Sequence, residues 1–374
     1  MDLRAYDIDP IRGFLPAEDP LELLPPTFQL WEEMSGRLPS LMMAGRAREL
    51  LGQLGPIDPA SLEGTRQLWR AYLLLSMMAN AYIMDGPAQA SVLPRCLAKP
   101  LWYVARALDM PPVFTYAAIV LHNWSRIDRS GPVDLGNLVT LRSFLGGVDE
   151  QWFLLSMAAI EARGGPALQA IVNAQNAVAA DDSGGVSGAL SRIADAQHGM
   201  LAALDRLPEK CDPYIFFHRL RPVLDAWREP GVVYEGVSSE PQMWIAASGA
   251  QSALTQALDF ALGVDHAPQA GCLLAQLRAY MPKGHNRFLD AIAAGPSLRA
   301  YILRGGHGTD LVEQYNDNIN LLNTFRRKHM EIAVRYVAKQ ATDNAKVYGT
   351  TGSNFIQLLN QARKETSALF ISAM

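Results

Sequence analysis

A chain of 374 residues is long enough for a large core or two domains, and with 49% hydrophobic and only 19% charged residues it is too apolar for general disorder. Thirty-three basic against 37 acidic residues leave a formal charge of -4 with no extended basic block, which argues against nucleic acid as the main partner. Abundant Leu, Ala and Met with few β-branched runs suit helices packed on helices, so a mostly α protein is expected.

The opening MDLRAYDIDPIRGFLP lacks the basic start and apolar core of a secretory signal, and no run approaches 18 apolar residues. No membrane span is expected, and the cytoplasm is the expected location. Cys96, Cys211 and Cys272 are far apart and read as reduced thiols.

In chain order, the Pro- and Asp-rich residues 1–26 form an extended lead-in. Residues 28–54 predict one helix re-aimed near Leu38-Pro39 and then another. Asp58 and Pro59 form a start signal leading into 65–84, where Leu68, Tyr72, Leu75, Met78, Ala79 and Tyr82 make one apolar face. Residues 86–100 read as a connector, with a short helix from Leu101 stopping before Pro111-Pro112. The division expected is a small helical unit over 1–110 and a larger one over 111–374.

Residues 113–124 predict an apolar helix, and LGNLVTLRSFLGG a broken element. Residues 150–162 are apolar on nearly every side apart from Ser156 and predict a deeply buried helix. Further helices follow over 163–207, joined through ADDSGGVSG, and Asp212-Pro213 introduces YIFFHRLRPVLDAW. GVVYEGVSSEP reads as a short strand or turn, and a small-residue segment precedes a helix ending in LDFALG. Two helical candidates lie over 272–280 and 286–293, then a long amphipathic helix over 310–340, the loop YGTTGSN and a last helix from Phe355.

None of the seven histidines sits in HExxH or in a compact His/Cys/Asp cluster, so a zinc site is not expected. GGHGTD and GTTG read as turns, because the strand-glycine-helix context of a nucleotide site is missing. His329 lies in the apolar stripe of Leu322, Phe325, Ile332, Ala333 and Tyr336, as a core residue, an acid or base, or an axial ligand in a dry pocket. In FFHRLR, Arg221 follows Phe217 by four residues, so a guanidinium and a ring share one helix face. That pair suits a planar ligand bearing a carboxylate; the alternative is a core phenylalanine with Arg221 reaching to the surface.

PPVFTYAAIVLHNW, WFLLS, FFHRLR, VVYEG, SGAQS, LDFALG, RAYMP, FRRKHMEIAVRYV and GTTGSN occur in an order and spacing that resembles the indoleamine 2,3-dioxygenase family, heme enzymes that cleave the indole ring of tryptophan. The resemblance runs from about residue 20 to about residue 365 and is firmest beyond Pro111. It implies an all-α heme protein with a smaller N-terminal and a larger C-terminal helical unit. By it, His329 matches the ligand of the iron of heme b, with His218 as a competitor outside the ligand position. Tyr116, Ile119, Val120, Trp152, Phe153 and Ser156 match the pocket around heme and indole; Ser156 stands where tryptophan 2,3-dioxygenases carry histidine, and Trp152 where better-known members carry phenylalanine. A serine in a packed helix also bonds back to its own backbone. Ala247, Ser248 and Gly249 match a small-residue wall near the heme, and Asp259 and Arg326 a polar network beside it.

Arg221 matches the residue that holds the substrate carboxylate, Phe217 lies against the indole, and Thr350 closes over the amino-acid portion, with Asn354 replacing an acidic residue in that loop. The implied reaction consumes molecular oxygen as co-substrate and opens the indole C2-C3 bond of tryptophan or a related indoleamine to give N-formylkynurenine or its analogue. An electron donor returns ferric heme to the ferrous state, and the oligomeric state is left open. Two alternatives keep the same heme ligand: a heme-dependent monooxygenase acting on a modified tryptophan in specialised metabolism, and a non-enzymatic heme sensor or carrier.

Overall fold

Apolar residues repeating every three to four positions decide the longest elements, because a helix satisfies its own backbone while burying one stripe. The computed structural model describes residues 1–225, 227, 229–305, 309–341 and 355–372. The expected broken helix over 28–54 is three short ones: α1 (Gln29–Gly36), α2 (Leu38–Met43) and α3 (Ala47–Leu51). Pro39 sits in the first turn of α2, where its missing N–H is harmless, and Gly45 turns the chain between α2 and α3 at φ 62. Asp58 caps only a 3-10 turn, Pro59–Ser61, by accepting from Ala60 N at 3.0 Å; the long helix α4 (Gly64–Met84) begins separately.

β1 (Val92–Leu93) interrupts the expected connector, and α5 (Arg95–Ala107) starts well before Leu101 with Pro100 inside it. Burial of Leu97, Ala98, Leu101, Val104 and Ala105 as α5 packs on α4 outweighs the hydrogen bond that Pro100 cannot donate. Segment 113–124 is not the expected helix. It holds one π-helical turn, Ala117–Leu121, and then becomes β2 (Trp124–Arg126), antiparallel to β3 (Leu138–Thr140). Its residues are buried by the elements around them, not by a helical face of their own.

α6 (Val148–Ala179) runs straight through Gly164-Gly165-Pro166, where a boundary was expected. The two glycines are points of close approach. A Cβ on Gly165 would stand 2.6 Å from Gly13 N, and one on Gly164 would stand 2.4 Å from Leu254 Cδ2. α7 (Ser183–Asp205) packs along α6 after a sharp turn in which Asp181 adopts φ 55 and Asp182 accepts from Gly185 N at 2.9 Å.

Asp212 caps a continuous stretch made of α8 (Pro213–Ile215), a π-helical turn at Phe216–Leu220 and α9 (Arg221–Leu224). β4 (Val233–Tyr234) pairs in parallel with β1. The small-residue segment leads into α10 (Ala253–Leu262), capped by Ser252 and closed by Gly263 at φ 79. Then come α11 (Pro268–Leu277), α12 (Lys283–Ala293), α13 (Leu298–Leu303), α14 (Thr309–Ala333) with a third π-helical turn at Val334–Ala338, and α15 (Phe355–Ser367). The fold is therefore all-α with two minor strand pairs among the described residues.

Buried side chains run as one core from Leu3 to Ile371. Glu32 of α1 pairs with Arg70 of α4 at 2.5 Å and also with Arg142, so a buried ionic cluster joins residues on both sides of position 110. Among the described residues no helix is long and apolar enough to cross a membrane.

Candidate active site

α6, α10, α11, α14, α15 and the three π-helical turns enclose a mostly apolar cavity of about 420 Å³, within the usual range of small-molecule sites. Each π-helical turn brings a residue to it: Ile119 and Val120, Phe216, and Tyr336 with Val337. Such turns widen the helical spacing and recur at functional sites. Eleven of the site residues expected from the resemblance line the cavity: Tyr116, Ile119, Val120, Phe153, Arg221, Ala247, Ser248, Gly249, Asp259, Arg326 and His329.

The His329 ring shows much of its surface, and it is a cavity-lining surface. The surrounding protein burial pushes its pKa down and the Arg326 charge adds to this, so the imidazole is neutral and keeps a lone pair. No hydrogen bond ties the ring among the described residues. A neutral, uncommitted imidazole on an apolar wall is the donor that a flat iron macrocycle requires, and the residues present fit such a group. His218 is exposed and packs against Tyr214 with ring centroids 4.3 Å apart and planes tilted by 44°, and it is not among the cavity-lining residues.

Arg221 reaches the cavity with its side chain only 11% exposed. It pairs with Asp225 at 3.6 Å, and its guanidinium carbon lies 5.6 Å from the Phe217 ring centroid. Burial pulls its pKa down against the Asp225 charge. Phe217 itself does not line the cavity; Phe216 does, 4.9 Å from Phe153 and 5.7 Å from Tyr336 between ring centroids. The reason is the π-helical turn: with hydrogen bonds spanning five residues, Phe216 rather than Phe217 shares the inward face with Arg221.

Trp152 and Ser156 also stand off the walls. The Trp152 indole N–H donates to Arg206 O at 2.8 Å, and the Lys210 ammonium lies 4.5 Å from its ring. The fully buried Ser156 hydroxyl donates to Trp152 O at 2.7 Å, the backbone bond open to a helical serine. Thr350 and Asn354 lie outside the described residues.

Two polar networks border the cavity. In one, the Arg326 guanidinium donates to Asp259 and to Thr366, and His266 bridges Asp259 at 3.1 Å and Glu365 at 2.6 Å. In the other, the Tyr116 hydroxyl and the Ser252 hydroxyl both donate to Glu161 Oε1, at 2.9 and 2.6 Å, while Gln251 Oε1 accepts from Tyr116 N at 2.9 Å. Glu161 is a cavity residue that the sequence reading missed despite a signal, a carboxylate near the end of a segment that is otherwise mostly apolar. His266 had none, since it belongs to a loop whose partners come from two other elements.

The family whose profile matches is described as Indoleamine 2,3-dioxygenase, over residues 2–369. The chain is 33% identical over 387 residues to human Indoleamine 2,3-dioxygenase 2, covering 98% of this chain and 95% of that protein. It is 34% identical over 395 residues to Indoleamine 2,3-dioxygenase nanC of Aspergillus nanangensis, covering 98% and 96%. With the Indoleamine 2,3-dioxygenase of Saccharomyces cerevisiae it shares 31% over 398 residues, covering 98% and 86%. These matches span nearly the whole helical fold and its cavity, and the chain belongs to the indoleamine 2,3-dioxygenase family.

Proposed function

We propose that the protein is a heme-dependent dioxygenase that opens the C2-C3 bond of the indole ring of tryptophan or a related indoleamine, giving N-formylkynurenine or its analogue. The observation that carries this reading is the neutral His329 imidazole on the wall of the same cavity that Arg221 enters. When bound, the cofactor supplies the activation of molecular oxygen that no side chain provides. His329 would hold the iron, and the Arg326 and Asp259 pair braces α14 from α10.

Arg221 takes the substrate carboxylate in charge-assisted hydrogen bonds. Tyr116, Ile119, Val120, Phe153 and Phe216 pack on the indole and exclude water. Ala247, Ser248 and Gly249 keep side-chain volume low where the planar group must approach. The Ser156 hydroxyl proton is committed to Trp152 O, so Ser156 shapes the helix and moves no proton, which the reaction does not demand. Trp152 acts indirectly, by anchoring α6 to Arg206 O, and Phe217 by stacking on Arg221. A reductant that keeps the iron ferrous is the implied partner, and the cytoplasm the proposed location.

The test is turnover of heme-loaded, reduced protein with L-tryptophan and labelled oxygen, read by mass spectrometry beside His329→Ala. A product with two labelled oxygens, lost in the variant together with the heme spectrum, is the expected result. One labelled oxygen would replace the reading by a monooxygenase. No product despite His329-dependent heme binding would leave a different substrate or a carrier.

A further inference from the structure

Glu161 is a carboxylate in the wrong solvent. Its residue is 1% exposed, Oε1 accepts two hydroxyl hydrogen bonds, and Oε2 is buried with no hydrogen-bond partner among the described residues. The two donors come from different elements. Tyr116 precedes the π-helical turn Ala117–Leu121, and Ser252 follows the small-residue segment 247–250 and caps α10 through Leu254 N at 3.2 Å. Gln251 closes the same junction, accepting from Tyr116 N and donating from Nε2 to Ala246 O at 2.9 Å.

We infer that Glu161 is a positioning residue that holds the small-residue wall of the cavity against Tyr116, and that protonation of its unpartnered oxygen loosens that wall. A carboxylate binds two hydroxyls about twice as strongly as a neutral acid does, so the charged form grips Tyr116 and Ser252 and the neutral form releases them. Burial raises the pKa to about 7, against the pull of the Ser252 and Tyr116 hydrogen bonds, so the change falls near neutrality. The groups facing Glu161 are the Tyr116 phenol, itself held protonated by burial and by the Glu161 charge, and the neutral Ser252 hydroxyl. No charged side chain among the described residues enters its electrostatics. The inference rests on the proposed function only for its consequence, a tighter indole pocket above neutral pH.

The experiment needs neither heme nor substrate, so its failure is distinguishable from failure of that function. Infrared spectra of the full chain between about pH 5 and about pH 9 follow the carboxylic-acid carbonyl band. Hydrogen exchange with mass spectrometry, corrected for the intrinsic rate, follows peptides covering residues 246–254.

In the unsubstituted protein an acid band is expected to vanish with a midpoint near neutrality, and protection of 246–254 to rise severalfold with it. Glu161→Gln, a neutral isostere, is expected to lack that band and to stay poorly protected at every pH. Ser252→Ala removes one hydrogen bond to the charged form, and its midpoint is expected to move up by about one unit. An acid band that persists in Glu161→Gln, protection that ignores pH, or a Ser252→Ala midpoint that does not rise would each overturn the inference. If Glu161→Gln fails to fold, the Ser252→Ala midpoint alone decides.

Discussion

His266 Nδ1 stands 2.6 Å from a carboxylate oxygen of Glu365, and its Nε2 stands 3.1 Å from Asp259, so one ring ties α15 to α10 beside the cavity. Burial alone would push the imidazole pKa down, but hydrogen bonds and charge from Asp259 and Glu365 outweigh it and the pKa is raised. The ring is the charged link between two carboxylates.

This link makes stability fall with rising pH. In the unfolded chain histidine titrates near ~6.5, so the contribution is fully present below that value and is lost as pH rises through the raised folded value. Glu365 acts at the other limit: burial opposes its charge, the Ala267 N–H and His266 outweigh that, and its lowered pKa keeps the pair intact until strongly acid pH. His266→Gln is expected to lose about 2 kcal/mol near pH 6, with the gap to the unsubstituted protein narrowing toward about pH 9. Denaturant midpoints at the two pH values check this, and a gap that widens with pH would reject the bridge.

On the proposed function, Arg221 is expected to separate tryptophan from tryptamine. Replacing it by Gln removes a charge-assisted partner for the carboxylate, worth about 1.5–3 kcal/mol, or about 10- to 100-fold in kcat/KM. Tryptamine lacks that carboxylate and is expected to lose less than about threefold. Steady-state rates with both substrates read the difference; equal losses would make Arg221 structural.

Gly165→Ala is expected to destabilise the fold by about 1–3 kcal/mol. The added Cβ meets backbone atoms, Gly13 N at 2.6 Å and Arg12 C at 2.7 Å, and the N-terminal segment must shift to admit it. Thermal unfolding against Gly188→Ala, whose Cβ meets nothing within 4 Å, is the control.

His122 stacks on Trp69, with centroids 4.1 Å apart and planes 8° from parallel, and burial lowers its pKa to about 3. The unfolded chain therefore takes up a proton that the folded chain refuses, and stability falls as pH drops below ~6.5 toward that folded value. His122→Gln removes this contribution, so its acid-unfolding curve is expected to be shallower over that interval. An unchanged slope would show that other groups govern acid unfolding.

The helices that form the cavity were legible where periodicity and burial agree. His329 lies in a stripe that α14 does form, Arg221 does reach the cavity, and the mostly apolar segment 150–162 is a buried part of α6. Pattern failed where contacts between distant segments override local preference. A helix boundary was expected after residue 162, yet α6 runs on through the crossing point at Gly164-Gly165-Pro166, and Pro100 reads as a connector and sits inside α5.

By itself the sequence determined the all-α class and the family, because these rest on the kinds of side chain present and their order along the chain. Only the tertiary structure decided which aromatic residue faces inward, since a π-helical turn shifts the phase and turns Phe216 rather than Phe217 to the cavity. It alone brought Glu161 to Tyr116 and Ser252, and His266 to Asp259 and Glu365. A buried charge is settled by partners that the fold carries to it from far along the chain, and no local pattern encodes that distance.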